Sequence, residues 1–169
     1  MSTDGHDFES FYRARTPALL RTAYLLTGDR HLAEDLVQDA LARTHRAWRR
    51  LADGGNPEAY ARRVMYHLQV SRWRRRRVAE SLPGELPERR DGRDPAGEAA
   101  ERLALRQALL TLPARQRAAL VLRYFEDHSE AEAADLLGCR VGTLKSHLAR
   151  GLAALRRALP DPATEGMPR

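Results

Sequence analysis

The stretch SEAEAADLLGCRVGTLKSHLARGLAALRRAL, residues 129–159, decides how this chain folds. Two helical patterns meet in it at a glycine-containing turn. The first carries Ala133, Ala134, Leu136 and Leu137, small and apolar residues that let another helix approach closely. Leu137-Gly138-Cys139 ends it, because Gly138 can take the left-handed backbone that a helix C-terminus often needs. The second repeats apolar residues at Val141, Leu144, Leu148, Leu152 and Leu155, the three- and four-residue steps of a helix stripe. Between them stand Arg140, Thr143, Lys145, Ser146, His147 and Arg150, polar and mostly basic, none required by a core. Helix, short turn and amphipathic basic helix is the helix-turn-helix arrangement, whose second helix enters the DNA major groove with residues near its N-terminus on base edges. An ordinary helical hairpin with a solvated basic face carries the same local pattern, so the rest of the chain decides between the two.

A chain of 169 residues has room for one medium domain or two small ones. Hydrophobic residues are 43% of it and charged residues 31%, which suits packed helices under a highly charged surface. The net charge of +6 favours an anionic partner, either nucleic acid or a membrane surface. No apolar run approaches the roughly 20 residues needed to span a bilayer. The opening MSTDGHDFES lacks the basic-then-apolar pattern of a secretory signal. Cys139 is the only cysteine, which excludes an internal disulfide and gives no sign of an oxidising compartment. Filling a helix turn is its expected role, ahead of a reactive thiol. A soluble, cytoplasmic protein is the expectation.

Ahead of the helix-turn-helix the chain reads as more helices. Phe8, Phe11, Tyr12, Ala18, Leu19, Ala23, Leu25 and Leu26 recur at helical spacing over Asp7–Leu26, although Pro17 should kink or interrupt that helix. Thr27-Gly28-Asp29 is a break, and Asp29 can cap the next helix. From Arg30 to Trp48 the apolar set Leu32, Leu36, Val37, Ala40, Leu41 and Trp48 faces one way, and Glu34, Asp35, Gln38 and Asp39 the other. That acidic face on a basic protein is either solvated surface or a docking face for a basic partner. Asp53-Gly54-Gly55-Asn56-Pro57 is a loop, and a third helix opens at Glu58. No acid stands among Ala59 to Arg77, whereas Arg62, Arg63, Arg72, Arg74, Arg75, Arg76 and Arg77 crowd together. Tyr60, Val64, Met65 and Leu68 give this helix a buried stripe, flanked by Tyr66, Val70 and Trp73. Guanidinium groups pair with phosphates and aromatic faces stack on unpaired bases, so nucleic acid is favoured over an anionic membrane, for which no exposed apolar anchor is evident.

Between Val78 and about Ala99, Pro83, Gly84, Pro87, Gly92, Pro95 and Gly97 are scattered among charged residues, and no period survives, which reads as a flexible linker. Helix resumes from Glu101 to Leu112, Pro113 stops it, and another helix runs to Phe125. Residues 158–169 contain three prolines and read as a frayed tail. No phosphate-binding glycine loop and no Cys/His spacing for zinc occurs. The expected fold is therefore all-α: two small helical domains, 7–78 and 101–159, joined by a linker over 79–100. No catalytic residue, metal or cofactor is assigned, and an enzyme is not expected.

Taken together, LLTGDRHLAEDLVQDAL followed by AYARRVMYHLQVSRWRRRR resembles the second conserved region of extracytoplasmic-function (ECF) sigma factors. LLTLPARQRAALVLRYFEDHSEAEAADLLGCRVGTLKSHLARGLAALR is similar to their fourth region. The resemblance covers about Phe8 to Arg157, and within the family it points to the actinobacterial, sigma-E-like branch. It implies a specificity subunit of bacterial RNA polymerase. It implies that Glu34, Asp35, Gln38 and Asp39 dock on a coiled coil of the largest polymerase subunit, with the polymerase flap as a further contact. For the minus-ten element it implies recognition and melting by Asn56, Arg62, Arg63, His67, Ser71, Arg74, Arg75, Arg76 and Arg77. For the minus-thirty-five element it implies Arg140, Thr143, Lys145, Ser146, Ala149 and Arg150. The implied partners are core RNA polymerase and promoter DNA, with an anti-sigma factor as a further candidate and no membrane. Two positions depart from the pattern: many members have Asn where this chain has His67, and Asp where it has Ser71. The alternative is a stand-alone helix-turn-helix regulator that binds duplex DNA without polymerase, which leaves the acidic and arginine-rich helices unexplained. A membrane-surface adaptor using the basic helix is a third reading.

Overall fold

The computed structural model describes residues 3–80 and 100–159. Every regular element among them is helical, and the chain divides into two compact units, within residues 1–92 and 93–169. The first unit contains α1 (Thr3–Thr27), α2 (Arg30–Arg46), the short α3 (Trp48–Ala52) and α4 (Pro57–Glu80). The second contains α5 (Ala100–Leu110), α6 (Ala114–Leu120), a π-helical turn (Val121–Phe125), α7 (Glu130–Leu137) and α8 (Val141–Ala158). Most of the expected linker, residues 81–99, and the expected tail beyond Leu159 lie outside the described residues.

In the first unit α2 is the central element, packed by α1 and α4. Leu19, Ala23 and Leu26 of α1, Leu36, Val37, Ala40 and Leu41 of α2, and Ala61, Met65, Tyr66 and Leu68 of α4 form its core. Pro17 does not interrupt α1, which is continuous across it. Gly28 turns the chain with φ 69°, and the Asp29 carboxylate accepts from the Leu32 amide at 3.0 Å, so α2 starts with the cap its sequence suggests. The expected single helix to Trp48 breaks at Ala47. Trp48, buried at the start of α3, meets the rings of Phe8 and Phe11 at 5.2 and 5.3 Å. Tertiary contact between aromatic rings thus accompanies a break that helical periodicity does not mark.

The second unit is built on shorter helices. α6 packs on α7 and α8, and Ala118, Ala119, Leu120, Val121 and Leu122 are buried in succession. A helix covered all round in this way has no single apolar face. The turn after it is π-helical, with the Glu126 amide donating to the Val121 carbonyl at 3.0 Å, where an unbroken α-helix to Phe125 is expected from sequence. Buried Arg117 donates to the carbonyls of Leu109 (2.9 Å), Leu110 (3.2 Å) and Leu112 (3.0 Å). It thereby bonds carbonyls at the end of α5 and in the turn after it, and ties α6 to them. Ser129 and Glu132 form a reciprocal capping box at the start of α7, and Gly138 closes it with φ 64°. Leu144 and Leu148 of the predicted stripe are buried, whereas Val141 is exposed and Leu152 and Leu155 are half-buried. Gly151 supplies the close approach instead, since a Cβ there would lie 2.9 Å from Leu120 Cδ1.

Candidate nucleic-acid interface

Because Leu144, Leu148 and Gly151 turn one side of α8 inward, its other side is presented to solvent. Thr143, Lys145, Ser146, Ala149 and Arg150 are all exposed there, and Arg140 is exposed at the N-cap position. These are the six positions marked from sequence. The Ser146 hydroxyl donates back to the Gly142 carbonyl at 3.2 Å. Lys145 Nζ lies 3.5 Å from Glu130 Oε2, at the first residue of α7. Neighbouring His147 is half-buried with its Nδ1 enclosed and without a hydrogen-bond partner. Burial, and after it the charges of Arg115 and Arg150, pushes its imidazole below the ordinary value, which favours the neutral ring. His147 is thereby a packing residue, and the polar face around it reduces to Lys145 and the two arginines as its cations.

On α4 the predicted residues are less uniform. Arg63, His67, Ser71, Arg74, Arg75 and Arg76 are exposed, and Arg77 lies in the same helix. Arg62 is largely covered and pairs with Glu58 at 3.1 Å, and Glu58 also meets Arg15 of α1 at 3.3 Å. The aromatic reading needs correction. Of the flanking stripe, Tyr66 is fully buried and Trp73 half-buried, so tertiary packing takes up faces that spacing alone offers to bases, while Tyr60 of the expected buried stripe is only half-buried. Asn56 also has a structural duty: its Oδ1 accepts from the Ala59 amide at 3.0 Å, capping α4. Pro57 comes next as the first helical residue, where the missing N–H costs nothing. Gly54, at φ 111°, faces open space, but a Cβ at Gly55 would stand 3.0 Å from the Leu51 backbone. The loop before Asn56 is therefore open at Gly54 and closed against Leu51 at Gly55.

The acidic side of α2 presents Asp35, Gln38 and Asp39 to solvent, with Glu34 half-buried and paired to Arg30 at 3.0 Å. Asp39 is also ion-paired to Arg72, which joins this face to α4. Sequence reading missed that pair, because the two residues stand in different helices. It also missed a concentration of charge at the end of α2. Arg43, Arg46, Arg49 and Arg50 line an open basin of about 590 Å³ with Ala47 and Tyr60, and the Arg50 guanidinium lies 6.0 Å from the Tyr60 ring centre. The signal was present as four arginines within residues 43–50, but they fall on either side of the break between α2 and α3. Among the described residues no group of three or more acidic, His or Cys side chains could hold a metal ion, and no helix is long and apolar enough to cross a membrane.

Residues 11–78 match the family description "Sigma-70 region 2", and residues 102–155 match "Sigma-70, region 4". The RNA polymerase sigma-E factor of Streptomyces antibioticus is 42% identical over 153 residues, spanning 90% of this chain and 84% of the relative. The ECF RNA polymerase sigma factor SigM of Mycobacterium tuberculosis is 30% identical over 156 residues, spanning 92% and 79%. Among solved structures, the sigma factor RpoE of Bartonella quintana, in complex with the anti-sigma factor NepR, is similar with TM-score 0.71 and 29% identity. That alignment covers 90% of this chain and 96% of the other. The order of the two regions and near full-length similarity leave the hairpin-only and stand-alone-regulator readings behind: the chain belongs to the ECF RNA polymerase sigma factors, which bind core polymerase and direct it to promoters to initiate transcription.

Proposed function

We propose that the sigma activity is divided between the two units, residues 7–78 docking on polymerase and opening the minus-ten element and residues 101–159 reading the minus-thirty-five element. The observation that carries this division is the exposed polar face of α8 opposite buried Leu144 and Leu148, set beside the exposed Arg63 and Arg74–Arg76 of α4. Thr143, Lys145, Ser146, Ala149 and Arg150 face the upstream major groove, and Arg140 holds phosphate at the start of the helix. Arg63 and Arg74–Arg77 supply phosphate contacts in duplex and opened DNA alike, so they give affinity with little discrimination. Arg62, engaged by Glu58, stands at the margin of this surface. His67 and Ser71 line the adjoining face of α4, and the amide of Asn56 beside open Gly54 offers donor and acceptor groups to an unstacked base. The arginine basin shares Tyr60 with the first turn of α4 and adds phosphate contacts along the opened strand.

Asp35, Gln38 and Asp39, with Glu34 at their edge, dock on a basic coiled coil of the largest polymerase subunit, and the second unit contacts the flap. No catalytic step or cofactor belongs to this reading, and the place of action is the cytoplasm. An anti-sigma factor is a fitting further partner, because the similar Bartonella protein was solved with one. Mixing the purified chain with core polymerase and assaying run-off transcription tests the whole scheme. Co-purification and promoter-dependent transcripts are the expected result; duplex binding by the chain without any association with core polymerase would overturn it.

A further inference from the structure

The contact between Lys145 and Glu130 joins the two helices of the helix-turn-helix. Lys145 stands on the exposed face of α8, and Glu130 begins α7, with side chains 62% and 43% exposed. Lysine is a mobile point charge on a flexible stem, and on a DNA-facing helix its easiest partner is any phosphate. Such a contact strengthens binding to every sequence equally. Reading a base edge requires the ammonium to stay near neutral acceptors such as guanine O6 and N7. A carboxylate 3.5 Å away works in that direction in two ways. It restrains the stem, and it repels phosphate oxygens while leaving ammonium donors free for a neutral acceptor.

We propose that Glu130 is a specificity-determining residue, acting through Lys145 to turn that cation from phosphates toward base edges of the upstream promoter element. Glu130 is a positioning residue in this role and makes no base contact of its own. The inference rests on the proposed placement of Lys145 in the major groove. Because the pair is exposed, its effect is modest in size and is read in discrimination more than in affinity.

The test uses holoenzyme, titrated with labelled promoter DNA carrying either the matched upstream element or one altered base pair within it, across a series of KCl concentrations. Glu130→Gln should tighten binding to the altered element by about two- to fivefold and change the matched one less. On the altered element the salt slope should steepen by about 0.9, the value for one added phosphate contact. Glu130→Asp should restore part of the lost discrimination, and Glu130→Gln should have no effect in a Lys145→Ala background. Equal tightening on both elements would make Glu130 a general repulsive charge, and an unchanged slope or an effect that persists without Lys145 would also overturn the proposal. Lys145→Ala alone separates the two levels of inference. If it leaves discrimination intact, the placement of Lys145 fails; if it lowers discrimination while Glu130→Gln does not, only the role of Glu130 fails.

Discussion

The two units assemble their candidate surfaces by opposite routes. In the second, the surface lies on one helix, and local chemistry sets that helix in place: the Ser129–Glu132 box starts α7, Gly138 ends it, and Leu144 and Leu148 fix the rotation of α8. In the first unit the candidate residues are spread over α2, a loop and α4. They are linked by pairs between helices, Asp39 to Arg72 and Glu58 to Arg15. A surface held on one helix arises from short-range sequence signals. One assembled from several helices depends on how they pack, and some of its side chains, Glu34, Asp39, Asn56 and Arg62 among them, have structural partners to give up.

Independence of the units is the sharpest way to break this comparison. Tyr66 and Leu144 are both fully buried, one in each unit. Tyr66→Ala should cost about 3 kcal/mol or more, and Leu144→Ala about 2–5 kcal/mol. The chain has two tryptophans, Trp48 and Trp73, both in the first unit, so fluorescence follows that unit while circular dichroism follows both. In urea, Tyr66→Ala should shift the fluorescence transition, and Leu144→Ala should shift only part of the dichroism transition. An equal fluorescence shift in both variants would mean that the units unfold as one.

Docking comes next in expected size. Asp35→Arg with Asp39→Arg places positive charge on the acidic side of α2 without touching buried Leu36, Val37 or Ala40, and core-polymerase affinity should fall on the order of tenfold. Competition binding against an unaltered holoenzyme measures it, and unchanged affinity with an intact fold would leave this side as solvated surface. Arg72→Ala sharpens the point: freeing Asp39 from its partner should alter docking far less than reversing its charge.

At Asn56 the two duties can be separated by chemistry. Asn56→Ala removes both the cap and the amide, and should cost about 1 kcal/mol of stability, whereas Asn56→Ser keeps a capping oxygen. Both variants should open promoters poorly in permanganate footprinting if the amide holds an unstacked base. Normal opening by Asn56→Ser would leave the residue as a cap alone.

The smallest expected effect is a pH dependence in the second unit. The Ser129 backbone N–H donates to Glu132, and with the Ser129 side chain this holds the carboxyl below its ordinary value of 4.5. A depressed folded-state value stabilises above the unfolded one, and that contribution is lost as pH falls through the folded value. Unfolding monitored by dichroism should therefore show a shallow loss below about pH 4.5 that is absent in Glu132→Gln. The same slope in both proteins would assign it to other carboxylates.

How legible each surface was depends on the range of the forces behind it. The six marked positions of α8 needed only a turn glycine and a stripe of leucines, and all six are exposed. Even there Val141 was misjudged and Gly151 overlooked, because closeness to Leu120 is a property of two helices. On α4 the run of arginines was plain, but the fate of its aromatics was not. A tyrosine at helical spacing can point to core or to solvent, and only the packing of α1 and α2 against α4 buries Tyr66.

By itself the amino-acid sequence determined the all-helical class, the order of the two regions, the caps at Asp29 and Gly138, and the exposed polar face of α8. Each of these rests on interactions within a few residues or on a helical period, which chain order alone specifies. Tertiary structure alone decided that Trp48 breaks from α2 to meet Phe8 and Phe11, that Asp39 and Arg72 pair, that four arginines share a basin, and that Glu130 stands beside Lys145. Those contacts join residues of separate helices, so their existence depends on packing geometry that no local pattern contains.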